Sequence, residues 1–223
     1  MHKYIAMVLS LYLLASCKKE VIVFDGGPDA HFELPLILKL NGKTCFYDEP
    51  NGLLKYSLAE NALENFAPYA EFQEHATLLF AGNALKNNAV NPLGTIVLHK
   101  RYAVDITVEG ATKHLQLEFT DMPLVRIVTF DEITNEPKTL AKMTVNYAAL
   151  NKPATSDWIG IELRGASSLS LDKKSYGFGV YADKSTDHAI LGSYFGLKEN
   201  SKWILDAMYI DKAHCRNKAS FSL

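Results

Sequence analysis

Val104-Asp105-Ile106-Thr107-Val108-Glu109-Gly110-Ala111-Thr112-Lys113-His114-Leu115-Gln116-Leu117-Glu118-Phe119 is the stretch that decides the fold. Val104, Ile106 and Val108 alternate with polar residues, and Leu115, Leu117 and Phe119 do so again after the turn formers Glu109-Gly110. A period of two places one face of each run against a core and the other in water, the signature of paired antiparallel strands. Upstream, Ile37-Leu38-Lys39-Leu40 and Lys43-Thr44-Cys45-Phe46-Tyr47 flank Asn41-Gly42. Asn-Gly tolerates the positive φ that a type I′ turn requires at both positions, so this segment is a second hairpin. Further strands are expected at 76–80 and 95–99. Short strands separated by turn signals over about 90 residues point to an antiparallel β-sandwich of immunoglobulin-like type at 32–121. The Asn-rich stretch 83–91, followed by Pro92 and Gly94, reads as a plain surface loop.

The β pattern resumes beyond a break near Asp121-Met122-Pro123. Strands are expected at 124–129, 140–147 and 158–164, where Ile159, Ile161 and Leu163 share a face. Tyr176, Phe178 and Val180 alternate once more, and Trp203-Ile204-Leu205 is a short apolar run. Asp211 suits the cap of a helix beginning near Lys212. This second, β-rich α+β region occupies 122–223.

At the other end, an uncharged run from Tyr4 to Ser16 leads to Leu14-Ala15-Ser16-Cys17 and then Lys18-Lys19-Glu20. The run is shorter than the roughly 20 residues that span a bilayer core, and it ends in small residues as a cleavage site requires. It reads as a lipoprotein signal peptide, 1–16, cut before a lipidated Cys17. The Cys-Lys-Lys-Glu start is similar to that of Bacteroidetes surface lipoproteins. The expectation is an exported protein held by its lipid to a membrane, the outer membrane or cell surface, with 17–31 as a linker rich in turn formers. After lipidation Cys45 and Cys215 remain, 170 positions apart in different regions, and a disulfide between them is not expected.

Composition excludes several classes. The chain of 223 residues is 48% hydrophobic and 22% charged, with a net charge of -2. Such a make-up folds, and it lacks the basic excess with which nucleic-acid domains neutralise phosphates, so no nucleic-acid partner is expected. No His or Cys pairs stand at metal-ligand spacing. Gly177-Phe178-Gly179-Val180-Tyr181-Ala182 matches a dinucleotide-binding string, but its glycines alternate with apolar residues in a strand instead of opening a helix.

One constellation carries more. Residues 159–168, Ile-Gly-Ile-Glu-Leu-Arg-Gly-Ala-Ser-Ser, and 172–178, Asp-Lys-Lys-Ser-Tyr-Gly-Phe, resemble the opening of the CotH kinase family in order and spacing. Phe195-Gly196-Leu197, Asn200, Trp203-Ile204-Leu205, Asp211-Lys212 and Arg216-Asn217 continue the likeness, and Leu124-Val125-Arg126-Ile127, Asp131-Glu132-Ile133 and Glu136-Pro137-Lys138 resemble the family's entry. The resemblance implies an atypical protein kinase that transfers phosphate from ATP, with a divalent metal such as Mg²⁺, to Ser in partner proteins. Arg164, Lys173, Lys174 and Arg216 are then the candidate phosphate-binding cations. Read without the family, Lys173-Lys174 is a solvated strand edge and Arg164 a strand-end charge.

Leu171-Asp172 stands where the family commonly has Phe-Pro, and Cys215 where an apolar residue is usual. The family's Asp/Asn-rich metal-binding segment lies downstream of its Arg-Asn helix, and Asp206 and Asp211 do not match it. The expectation is an incomplete, truncated amino-terminal kinase lobe, with no catalytic or metal residues and no bound cofactor of its own. The alternative is a non-enzymatic surface binding or adhesion module, with a surface protein as substrate or ligand in either case.

Overall fold

The computed structural model describes residues 38–209, except the side chains of 167–168, together with the backbone of two upstream strands, β1 (Val8–Leu9) and β2 (Val21–Gly26). The lipid site Cys17, the helix expected near Lys212, Cys215 and Arg216 lie outside the described residues, as does the signal peptide apart from β1. The chain is mainly β, in three sheets.

The first part of the chain builds two of them. Strands β3 (Lys39–Leu40), β4 (Lys43–Thr44), β7 (Tyr69–Glu71) and β10 (Ala89–Val90) form one, in the order β10-β7-β3-β4. Strands β5 (Phe46–Asp48), β6 (Leu53–Ser57), β8 (Thr77–Phe80), β9 (Asn83–Ala84), β11 (Arg101–Val108) and β12 (Ala111–Thr120) form the other, in the order β5-β6-β12-β11-β8-β9. Both turns read from the sequence are present. Asn41 and Gly42 have φ of 50° and 72°, and Glu109 and Gly110 have 50° and 83°, the two successive positive values that a tight two-residue hairpin demands. Val104, Ile106, Leu117 and Phe119 are buried, as the alternation requires.

The core takes side chains from both sheets. At its centre the Phe119 ring meets Tyr56 at 5.9 Å and Phe66 at 5.8 Å, both edge-on, the arrangement favoured by the ring quadrupole. Tyr56 buries its hydroxyl but donates it to the carbonyl of Leu40 at 2.9 Å, so the polar atom is satisfied.

Two expectations fail here. Residues 95–99 are not a strand: Ile96 is buried, but the backbone amides of this segment bond in turn to Leu63, the Tyr102 hydroxyl and Phe119. Gly94 and His99, with φ of 75° and 61°, bend the segment too sharply for a continuous ladder. The stretch 83–91 is not wholly loop either, since it contains β9 and β10.

The second part of the chain forms the third sheet, from β13 (Leu124–Thr129), β14 (Thr139–Asn146), β15 (Thr155–Arg164), β16 (Ser175–Tyr181) and β17 (Lys202–Leu205), in the order β1-β2-β13-β14-β15-β16-β17. Consecutive strands from β13 onward pair antiparallel. Strand β2 pairs parallel to β13, with Val21 against Leu124 and Gly26 against Thr129, so this portion of the expected linker is sheet. Its apolar run Val21-Ile22-Val23-Phe24 has no alternation to betray it, as is usual of strands with a parallel neighbour.

The two parts meet beside the Asn41-Gly42 turn. Lys43 is buried, and its Nζ donates to the carbonyls of Tyr147 at 2.8 Å and Ala149 at 2.6 Å. Asn146 Nδ2 donates to the Thr44 carbonyl at 2.8 Å, and the Ala59 amide to Ala148 at 3.0 Å.

Candidate functional site

Register assigns the residues of β13 to β17 to one or other face of the third sheet. Val125, Ile127, Ala141, Met143, Val145, Ile159, Ile161, Phe178 and Val180 share the core face. The chain between β16 and β17 covers that face with Tyr194 and Phe195. Tyr194 is buried and donates its hydroxyl to Asp157 Oδ2 at 2.8 Å. Burial first, then that bond and the carboxylate's charge, push the phenol's pKa well up.

The opposite face carries no core cluster and is open among the described residues. Along β15 it carries Trp158, Gly160, Glu162 and Arg164, opposite Tyr181, Gly179, Gly177 and Ser175 of β16. Three glycines thus floor the middle of the sheet, and neighbouring side chains lie down upon them. A Cβ on Gly160 would stand 3.0 Å from Tyr181 Cε2 and 3.2 Å from Lys138 Cβ, and one on Gly179 would stand 3.1 Å from the Tyr181 hydroxyl. One on Gly177 would meet Glu162 Oε1 at 3.3 Å. Lys138 and Glu162 form an ion pair across this floor. The glycines of the dinucleotide-like string therefore sit inside β16, where they make room for flat-lying side chains and form no phosphate-binding turn.

The expected cations occupy distinct settings. Arg164 is exposed at the end of β15, opposite Ser175. Lys173 is half-buried; desolvation lowers its pKa, against the opposing pull of the Asp206 carboxylate. Lys174 is turned to the backbone, its Nζ donating to the carbonyls of Leu169 and Leu171, so that it closes the 3₁₀ turn Ser167–Ser170. Nearby, the Tyr209 hydroxyl lies 3.4 Å from Asp172 Oδ2, and Ser175 Oγ accepts from the Ala207 amide at 3.0 Å.

Cations that a motif search passes over sit at the other end of the open face. Lys142 pairs in register with Trp158, and its Nζ lies 4.3 Å from the ring centroid. Lys184 Nζ lies 5.0 Å from the same ring and 5.9 Å from Phe130, whose ring is 5.9 Å from that of Trp158. Only the polar phase of β14, with Lys142 out and Ala141 and Met143 in, hinted at them in the sequence.

Among the described residues no three His, Cys, Asp or Glu side chains converge as metal ligands. The described carboxylates beside Lys173 do not form a Mg²⁺ cradle. The groups this face offers are cations and hydroxyls, which can hold an anion and orient it.

No curated protein and no solved structure matches the chain. The family model described as CotH kinase protein matches residues 161–223, from the middle of β15 onward, and the carboxy-terminal part of the chain is accordingly CotH kinase-like.

Proposed function

We propose that the second part of the chain is the amino-terminal lobe of a CotH-type protein kinase, carried behind an immunoglobulin-like β-sandwich on a surface lipoprotein anchored through Cys17. The observation that carries the kinase reading is the family match, which begins within β15 and takes in Arg164, Lys173, Lys174 and Arg216. In this reading Arg164, Lys173 and Arg216 contact phosphate oxygens of ATP. Lys174 holds the 3₁₀ turn that presents Lys173, through the two carbonyls it already binds. Half-burial suits Lys173 to this role, because a partly desolvated ammonium interacts more strongly with an anion than one free in water. Catalysis also needs carboxylate or amide ligands for Mg²⁺. Phosphate binding is the part of that task that the cations of this lobe can perform, and it is the part we assign to them.

Titration of the full chain with a fluorescent ATP analogue tests the site. Losing one charge-assisted hydrogen bond costs about 1.5–3 kcal/mol, so Arg164→Ala should weaken binding roughly tenfold or more. A full chain that binds no nucleotide, or an Arg164→Ala variant that binds as well as wild type, refutes the assignment. The anchor has its own test: metabolic labelling with a palmitate analogue should mark the wild type and leave Cys17→Ala unlabelled. Label retained on the variant excludes Cys17 as the lipid site.

A further inference from the structure

We propose that the open face of the third sheet docks an acidic peptide segment, an extended Asp/Glu-rich stretch of a partner protein, across Lys142, Trp158 and Lys184. This does not depend on the kinase reading, since the residues involved lie away from Arg164 and Lys173 and mostly before the family match.

The first observation is charge. The open face of β14, β15 and β17 presents Lys142, Arg164 and Lys202, with Lys138 and Lys184 beside it, and on the strands themselves its one carboxylate, Glu162, is already paired with Lys138. The strands' own share of this face is thus mainly cationic, while the flanking loops also carry Asp131, Glu132, Glu136, Asp183 and Asp187. Such a surface steers an anionic partner toward it, whereas the absence of an overall basic excess disfavours long nucleic-acid polyanions.

The second observation is the pair of ammonium groups on one indole. At 4.3 and 5.0 Å from the Trp158 centroid, they stand at most 9.3 Å apart. Neither makes an ion pair with a described carboxylate; Asp183, next to Lys184 in sequence, accepts the Ser185 amide at 2.8 Å instead. Surface lysines ordinarily spread into solvent, and two that converge on a ring repel each other until an anion joins them. In an extended peptide, residues i and i+2 point the same way about 7 Å apart, which brings two carboxylates within reach of two ammoniums at this separation. Phe130 and Trp158 offer apolar surface to the methylenes of the same Glu side chains. The two cations over the Trp158 ring are both lysines, compact charges that suit separate carboxylates.

The experiment uses the full chain carrying Trp203→Phe, which leaves Trp158 as the sole indole. A peptide of four Glu-Ala repeats is titrated against Trp158 fluorescence, beside a Lys-Ala peptide and an eight-residue oligothymidine. The expected result is binding of the acidic peptide with a change in Trp158 emission, weakened at least tenfold in Lys142→Gln/Lys184→Gln and by added salt. Circular dichroism and melting establish that the double variant is folded. If it is not, the comparison of acidic with basic peptide on the parent protein decides. Equal binding by parent and folded double variant, equal binding of the basic peptide, or tighter binding of the oligothymidine overturns the proposal.

Discussion

Replacing Lys43 with Met tests how the two parts of the chain are joined. Lys43 is 3% exposed and donates from one ammonium to the carbonyls of Tyr147 and Ala149, more than a hundred positions away. Each hydrogen bond from a charged donor contributes about 1.5–3 kcal/mol net, so the two give about 3–6 kcal/mol before the cost of burying the charge. Methionine keeps the apolar stem, recovers that desolvation and takes the donor from both carbonyls, of which Ala149 O keeps the Lys152 amide at 3.2 Å. The expected net loss is about 2–3 kcal/mol. Urea unfolding of the full chain reads it with two probes: fluorescence from Trp158 and Trp203, both in the second part, and far-ultraviolet circular dichroism, which sees both parts. The wild type should give coincident transitions. The variant's fluorescence transition should fall to lower urea and separate from the other. A change below about 0.5 kcal/mol with coincident transitions refutes the clamp. The pH arm has a definite sign. Burial lowers the Lys43 pKa from its ordinary 10.5 in the folded chain. Between the lowered value and 10.5 the unfolded chain holds more protons, so wild-type stability relative to Lys43→Met should rise with pH across that window and stay flat below it. A fall across the window contradicts the burial argument.

Tyr194→Phe should cost about 1–2 kcal/mol, because Asp157 loses its donor. In an ultraviolet titration of the folded protein the Tyr194 phenol should add no tyrosinate absorbance at pH 10–11, and a larger wild-type signal than in the variant there contradicts its placement. Cys45 is a free buried thiol whose pKa burial pushes up, so its tryptic peptide should resist alkylation at pH 8 until denaturant is added; native labelling would show that the core is open. Gly160→Ala should lower stability by about 1–3 kcal/mol, since the new methyl meets Tyr181 and Lys138 at 3.0 and 3.2 Å. A thermal melt unchanged from wild type would mean that Tyr181 does not lie on this floor.

What the sequence made legible was alternation. Strands β11 and β12 announce themselves because polar residues alternate with apolar ones, β16 because glycines alternate with apolar residues although both of its faces are buried, and the two hairpin turns because Asn-Gly and Glu-Gly accept positive φ. Strand β6 does so only faintly: its polar phase is just Lys55 and Ser57, and both are buried with the rest of the strand between β5 and a parallel β12, so that phase marks no wet face. Strand β2 is silent for a related reason, as an apolar run parallel to β13. The error at 95–99 has the opposite origin, an apolar stretch whose backbone is shared among several partners. At the candidate site the family's cations were legible as letters, but not their tasks. Nothing in Lys173-Lys174 announces that one ammonium closes a turn while its neighbour sits half-buried near Asp206.

The open face was hidden because it exists only through register. Lys142 and Trp158 are sixteen positions apart, and each alone is an ordinary strand residue; they meet because Lys142 pairs with Trp158 and Leu140 with Gly160. A slip of one residue between β14 and β15 would carry Lys142 toward Ile159 and the core, at the cost of a buried unpaired charge. The glycines enforce the register from the other side. Gly160 faces Gly179, and Tyr181, two residues further along β16, lies across both. Any register that set a larger residue at either position would drive a side chain into that ring. Gly177 and Gly179, which imitate a nucleotide motif, therefore serve with Gly160 to lock the strands, and the locked strands bring Lys142 over Trp158, within reach of Lys184 and Phe130.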